Sequence, residues 1–206
     1  MIYLASGSPQ RSKLLFDAGI PFEVLGSDGD EDAIHIPHVM AMALERARVK
    51  AQGARIAHLM PDWPGQGVIL AADTIVNVGD QILGKPKDAD DARRMLQALS
   101  GTRHKVVTGQ CCLIPAHNGQ EMREASFVSF AYITMRPLSD QDIDAYLDTG
   151  ESSDRSGGYA IQETADQFVV DREGEHDAVV GLSVTAVRRL YHELTGEHLP
   201  EPEAEV

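Results

Sequence analysis

Residues 68–86 read Val68-Ile69-Leu70-Ala71-Ala72-Asp73-Thr74-Ile75-Val76-Asn77-Val78-Gly79-Asp80-Gln81-Ile82-Leu83-Gly84-Lys85-Pro86. The run at 68–72 is apolar throughout, and a short apolar run of this kind suits a strand buried on both faces, near the middle of a sheet. Residues 75–78 and Gln81–Leu83 flank Gly79-Asp80, a two-residue hairpin signal. A central buried strand beside a hairpin points to an α/β chain with a mixed sheet rather than a purely parallel one. Gly79 to Lys85 also fits the G-x-x-x-x-G-K spacing of a phosphate loop. Pro86 stands where that loop needs a hydroxyl for its metal, and the context is a hairpin arm, so this alternative is rejected.

The flanks agree with α/β. Ile2–Ala5 is a short apolar run ended by Ser6-Gly7-Ser8-Pro9, which reads as a first strand, a tight loop, then a helix capped by Ser8 with Pro9 in its first turn. Leu14, Leu15 and Ala18 recur at helical spacing, and Gly19 closes that helix. Phe22–Leu25 reads as a second strand, followed by an acidic loop at 28–32. A long helical pattern runs over 37–59, and 60–67 reads as a connector rich in Pro and Gly. Further helices are expected at 88–99, 139–147 and 185–194, the second with a capping box from Ser139 and Asp142. Strands are expected at 104–114 and 124–135, joined through His117-Asn118-Gly119. Two short apolar runs, 168–170 and 178–180, bracket a polar turn. The last ten residues carry four glutamates and are expected to fray.

The chain has 206 residues, 43% hydrophobic and 24% charged, enough to build a core without disulfides or metal. Eighteen Lys and Arg against 32 Asp and Glu leave a net charge of −14. That balance disfavours gripping a nucleic acid polymer, whose affinity comes from clustered cations, and an anionic membrane surface would repel it. No apolar run is long enough to cross a membrane, and no basic leader precedes the first apolar run. The adjacent Cys111 and Cys112 read as reduced core residues. A cytoplasmic protein is therefore expected. His35 and His38, with no third ligand, read as solvent-facing rather than as a zinc site.

Three segments carry chemistry. Ser6-Gly7-Ser8-Pro9-Gln10-Arg11 places two hydroxyls, a cation and the backbone N–H groups of a helix start together, an anion-binding arrangement. Asp73, next to Thr74, is a carboxylate at the polar end of an apolar strand, suited to a base or a metal ligand. The loop 151–162, Glu151-Ser152-Ser153-Asp154-Arg155-Ser156-Gly157-Gly158-Tyr159-Ala160-Ile161-Gln162, mixes charge, glycine and an amide as a ligand-contacting loop does.

In order and spacing these segments resemble the Maf family of nucleoside triphosphate pyrophosphatases, from Tyr3 to about Leu194. The landmarks are Leu4-Ala5-Ser6-Gly7-Ser8-Pro9, Ala72-Asp73-Thr74, Leu83-Gly84-Lys85-Pro86, Leu99-Ser100-Gly101-Thr102-Arg103-His104, Thr108-Gly109, Gly158-Tyr159-Ala160-Ile161-Gln162 and Val179-Val180-Gly181-Leu182. The resemblance implies a bent mixed β-sheet flanked by helices, in two lobes with a central cleft, like the inosine triphosphatases. It implies one Maf-like domain over 1–196 followed by the acidic tail 197–206. It further implies hydrolysis of a nucleoside triphosphate to the monophosphate and pyrophosphate, as house-cleaning of non-standard or excess nucleotides, with a divalent metal, Mg2+ or Mn2+, and points to a homodimer. The catalytic carboxylate falls on Asp73, which with Glu31 would hold the metal. Phosphate binding falls on Ser6 or Ser8, Arg11, Arg46, Lys85 and Arg155. Base-reading positions fall on Gln10, Thr74 and Gln162.

Several positions depart from the family pattern. Gln10 stands for an arginine, Arg46 and Arg155 stand for lysines, and Ser183 stands for a proline. The two cations keep charge while changing reach. Thr74 and Gln162 match the pyrimidine-triphosphate branch, since an amide can pair with a uracil or thymine edge through donor and acceptor together. The methylated-guanine branch carries Gln and Glu there, so dTTP or UTP is expected over 7-methyl-GTP. The rival function is a nucleotide-binding regulator of cell division or septum formation without significant catalysis; Asp73 argues against it, because a pure binder gains nothing from a negative charge facing phosphates.

Overall fold

In the computed structural model, which describes residues 1–60, 63, 67–153, 155–161 and 164–201, the 68–83 stretch forms one long strand and a hairpin. Strand β3 spans Val68–Val78 and turns through Gly79-Asp80 into β4, Gln81–Leu83, antiparallel to it with Val78 opposite Gln81. The break expected at Asp73-Thr74 does not occur. Backbone pairing continues through the polar pair, and Asp73 meets a cation inside the fold rather than needing water.

Strand β1, Ile2–Ala5, pairs in parallel with β2, Phe22–Leu25, on one side and β3 on the other. Such pairing needs crossovers. They are α1, Pro9–Asp17, and the segment that contains α2, Val39–Gln52. Strands β5, Arg103–Ile114, β6, Arg123–Met135, and β7, Val169–Gly174, complete a seven-stranded sheet in the order β2-β1-β3-β5-β6-β7, with β4 on β3. Strand β7 is antiparallel to β6, so the sheet is mixed, as expected. The remaining helices are α3, Ala89–Leu99, α4, Asp140–Leu147, α5, His176–Val180, and α6, Val184–Thr195. The capping box of Ser139 and Asp142 forms at the start of α4.

The chain divides into two compact units. The first holds residues 1–73, 108–128 and 181–206, the second 74–107 and 129–180. In the first unit the sheet buries both faces, which follows from period-two alternation of the strands. Ile2, Leu4, Leu70, Ala72, Cys112 and Ile114 pack with Leu15 of α1 and Leu190 of α6. Tyr3, Ala5, Ile69, Ala71, Cys111 and Leu113 pack with Ala47 and Ala51 of α2. Trp63 covers Tyr3, their ring centroids 4.9 Å apart. Leu199, beyond α6, is buried in the first of these clusters. The second unit has its own core, built from Val76, Leu83, Leu96, Leu99, Ile133, Ile143 and Phe168. Both cysteines are buried free thiols, and burial pushes Cys111 up to about 12 and Cys112 higher still, which keeps them inert.

One helix is shorter than expected. Helix α2 ends at Gln52 rather than continuing to 59. The chain turns there so that Asp28 N–H donates to Gly53 O at 2.9 Å and Arg55 N–H to Gly26 O at 2.9 Å, binding the acidic loop to the helix end. The apolar run 178–180 forms the end of α5. Most of the 60–67 connector and residues 202–206 of the tail lie outside the described residues. Among the described residues no helix is long and apolar enough to cross a membrane.

Candidate functional site

Alternation along β3 points Asp73 to the same side as Ile69 and Ala71, towards α2. There Lys50, in the last turn of α2, places its Nζ 3.1 Å from Asp73 Oδ1 and 2.9 Å from Glu31 Oε1. Glu31 opens a short 3-10 turn, Glu31–Ala33, whose cap is Asp30 accepting from Ala33 N–H. The structure thus brings together both residues expected to hold a metal, and joins them through a lysine the sequence reading passed over. Its signal was present: Lys50 stands seven residues after Ala43 and three after Ala47, on the buried stripe of the helix. Arg46, chosen from that helix instead, gives its Nε and Nη2 to the Ile34 carbonyl at 3.3 and 3.2 Å.

These carboxylates suit a hard divalent ion. Their oxygens already converge on one positive centre, and Asp73 Oδ2 is buried with no hydrogen-bond partner among the described residues. An unpaired buried carboxylate oxygen costs free energy unless a cation or donor meets it. No group of three or more His, Cys, Asp or Glu is placed for a metal among the described residues. Two carboxylates would therefore leave most coordination positions for water and phosphate oxygens, the usual way Mg2+ is held.

The other side of the first unit's sheet carries the Ser6–Arg11 segment. Ser8 is the N-cap of α1, but its side chain makes no cap hydrogen bond; its Oγ donates to Gln10 Oε1 at 3.1 Å. Ser6 Oγ accepts from Ser8 N–H at 3.2 Å and from Arg11 Nη1 at 3.0 Å. With its acceptor capacity used in this way, that hydroxyl's proton suits an incoming acceptor. Arg11 is 8% exposed, and its Nε donates to Gly181 O at 2.9 Å, so these bonds constrain the plane of its guanidinium. Arg11 is thus held beside a helix start, whose N–H groups and dipole favour an anion.

The second unit places Thr74, Lys85 and Arg155. Lys85 is exposed, just after β4. Arg155 precedes the 3-10 turn Ser156–Gly158. The turn is tied at both neighbours of these positions: Ser156 Oγ donates to Thr74 O at 2.5 Å and Gly157 N–H to Gly84 O at 2.9 Å. Further along, Ala160 N–H donates to Tyr146 Oη at 3.0 Å, and His104 Nε2 lies 2.7 Å from Tyr159 Oη. Gln162, the third base-reading position, lies outside the described residues. The exposed His38 accepts from Ala41 N–H at the start of α2, a cap rather than a ligand.

The fold is an α/β protein with a mixed sheet, with two carboxylates on one face of the first unit's sheet and an arginine held at a helix start on the other. The family model described as Maf-like protein matches residues 1–194, and the chain belongs to that family. Among curated relatives, a dTTP/UTP pyrophosphatase of Anaeromyxobacter dehalogenans is 40% identical, covering 92% of this chain and 91% of that protein. One of Carboxydothermus hydrogenoformans is 38% identical over 94% of this chain and 96% of its own length. One of Pseudoalteromonas atlantica is 36% identical over 96% and 99%.

Proposed function

We propose that this chain hydrolyses dTTP and UTP to the nucleoside monophosphate and pyrophosphate. The observation that carries the reading is the pair of carboxylates, Glu31 and Asp73, turned onto one cationic centre in a chain whose relatives bear that activity in their names. Glu31 and Asp73 would hold a divalent ion, Mg2+ or Mn2+, which supplies charge neutralisation and polarises phosphate oxygens. Arg11, the Ser6 hydroxyl, Lys85 and Arg155 bind the phosphate chain, concentrating cations that an acidic protein otherwise lacks. Asp73 Oδ2, buried and without a hydrogen-bond partner among the described residues, takes the proton of the attacking water. The water oxygen bonds to the α-phosphorus, the bond from that phosphorus to the bridging oxygen breaks, and pyrophosphate leaves with the electron pair. Thr74 and Gln162 read the base as a pyrimidine, and Gln10, already bonded to Ser8, makes that reading less strict than an arginine fork would. Inert buried thiols suit the reducing cytoplasm.

Steady-state kinetics on dTTP, UTP and 7-methyl-GTP with Mg2+ test this. The expected result is kcat/KM higher for the two pyrimidine triphosphates. A clear preference for 7-methyl-GTP overturns the base assignment.

A further inference from the structure

Gln110 lies in β5 and is fully buried, at 0% exposure. It shares its face of the sheet with apolar Cys112 and Ile114, so its amide is out of place for packing alone. Its Oε1 accepts the backbone N–H of Ser183 at 3.0 Å. Its Nε2 has no partner among the described residues. Half of this buried amide is therefore satisfied and half is not, and a half-satisfied amide is a poor choice where stability is the only demand.

What the bond holds is the turn before α6. Ser183 is the N-cap of that helix, its Oγ accepting from Ala186 N–H at 3.3 Å. Two residues earlier, Gly181 has φ of 115°, a conformation side-chain-bearing residues rarely adopt. Its carbonyl is the acceptor for Arg11 Nε at 2.9 Å. A peptide next to a glycine at such a φ has many other orientations open to it, so the carbonyl keeps its aim only if the chain on either side is pinned. Gln110 pins it on one side, through Ser183, and buried Leu182 fills the step between.

We infer that Gln110 is a positioning residue for Arg11: by holding Ser183 N–H it fixes the Gly181 carbonyl, and through it the plane of the guanidinium that meets phosphate. This rests on the proposal that Arg11 binds the triphosphate. It also explains the pairing of a serine at 183 with a glutamine at 110. A proline at 183 would have no N–H to satisfy, and the turn would be held by its ring instead.

The test uses Gln110→Met, the milder Gln110→Asn, whose amide is too short to reach, and the double variant Gln110→Met/Ser183→Pro. Two readouts are taken: kinetics on dTTP, and hydrogen exchange of the Arg11 Nε–H by 15N NMR. Both single variants are expected to raise KM about tenfold with kcat within about twofold, and to speed Nε–H exchange. The double variant, in which residue 183 no longer has an N–H that needs the glutamine, is expected to restore both. If Gln110→Met and Gln110→Asn lower the melting temperature but leave Nε–H exchange unchanged, the glutamine is structural only and the inference fails. If wild type does not turn over dTTP while exchange still responds to Gln110, it is the proposed function that fails and the positioning role that survives.

Discussion

The two oxygens of Asp73 differ: Oδ1 faces Lys50 at 3.1 Å, while Oδ2 is buried with no hydrogen-bond partner among the described residues. On the proposed chemistry Oδ2 is the one that works. Asp73→Asn keeps the shape and removes the base, so turnover should fall by about 10²–10⁴ with an unchanged circular dichroism spectrum; a folded variant with near-full pyrophosphate release would exclude the role. Lys50 makes a separate prediction. Its side chain is 15% exposed and serves as the internal counter-cation of two carboxylates. Lys50→Met should lower metal-free stability by about 1–3 kcal/mol, and added Mg2+ should raise the melting temperature of the variant more than that of wild type. Equal Mg2+ shifts in the two proteins would mean the ion does not bind where the ammonium sits. Asp73 was legible because a carboxylate against an apolar run is conspicuous. Lys50 was not, because a lysine on an alanine-rich helix reads as a solvated stem, and only the tertiary fold shows that it turns inward. Arg46, one helical turn earlier, drew the assignment as the cation standing where the family pattern has a lysine.

At the level of elements, the landmark Thr108-Gly109 has a packing reason. Helix α2 lies so close to β5 that a Cβ built on Gly109 would stand 2.3 Å from Ala43 O and 2.6 Å from Leu44 N. Those atoms are backbone and cannot yield, so Gly109→Ala should destabilise the protein by about 1–3 kcal/mol or more and displace the helix that carries Lys50. Chemical denaturation measures the first effect and loss of activity the second. His104, in β5, tests the second unit. It is 1% exposed, and burial pushes its value down to about 4 from 6.5. The folded state therefore keeps it neutral while the unfolded chain binds a proton, so stability is full above about 6.5 and falls as pH drops towards 4. Across that window the loss is about 3 kcal/mol. Melting curves from pH 7 to 5 should fall more steeply for wild type than for His104→Gln, and parallel slopes would show that His104 titrates normally. The sequence showed these elements where local signals were strong, as at the Ser139 capping box and the Gly79-Asp80 hairpin. It misplaced the end of α2, because the chain leaves the helix where Gly53 O accepts from Asp28 N–H and Arg55 N–H donates to Gly26 O, partners remote in sequence. It also broke β3 at Asp73, since a polar pair looks like a strand end until its cation is known.

For the whole molecule, the net charge of −14 sets the problem that the local chemistry solves. On the proposed function, phosphate is bound where cations are gathered and held; Arg11 is held to Gly181 O and Ser6 Oγ, and the turn beside Arg155 is tied to Thr74 O. The α/β class and the order of the landmarks were legible in the chain. The side-chain networks that orient Arg11 and Asp73 were not, because they join residues 170 and 23 positions apart. The most direct test of the central claim is the identity of the products. Phosphorus NMR of dTTP incubated with the protein and Mg2+ should show pyrophosphate and dTMP in equal amounts, with no inorganic phosphate at early times. Formation of dTDP and inorganic phosphate, or saturable binding of dTTP without any turnover, would contradict it.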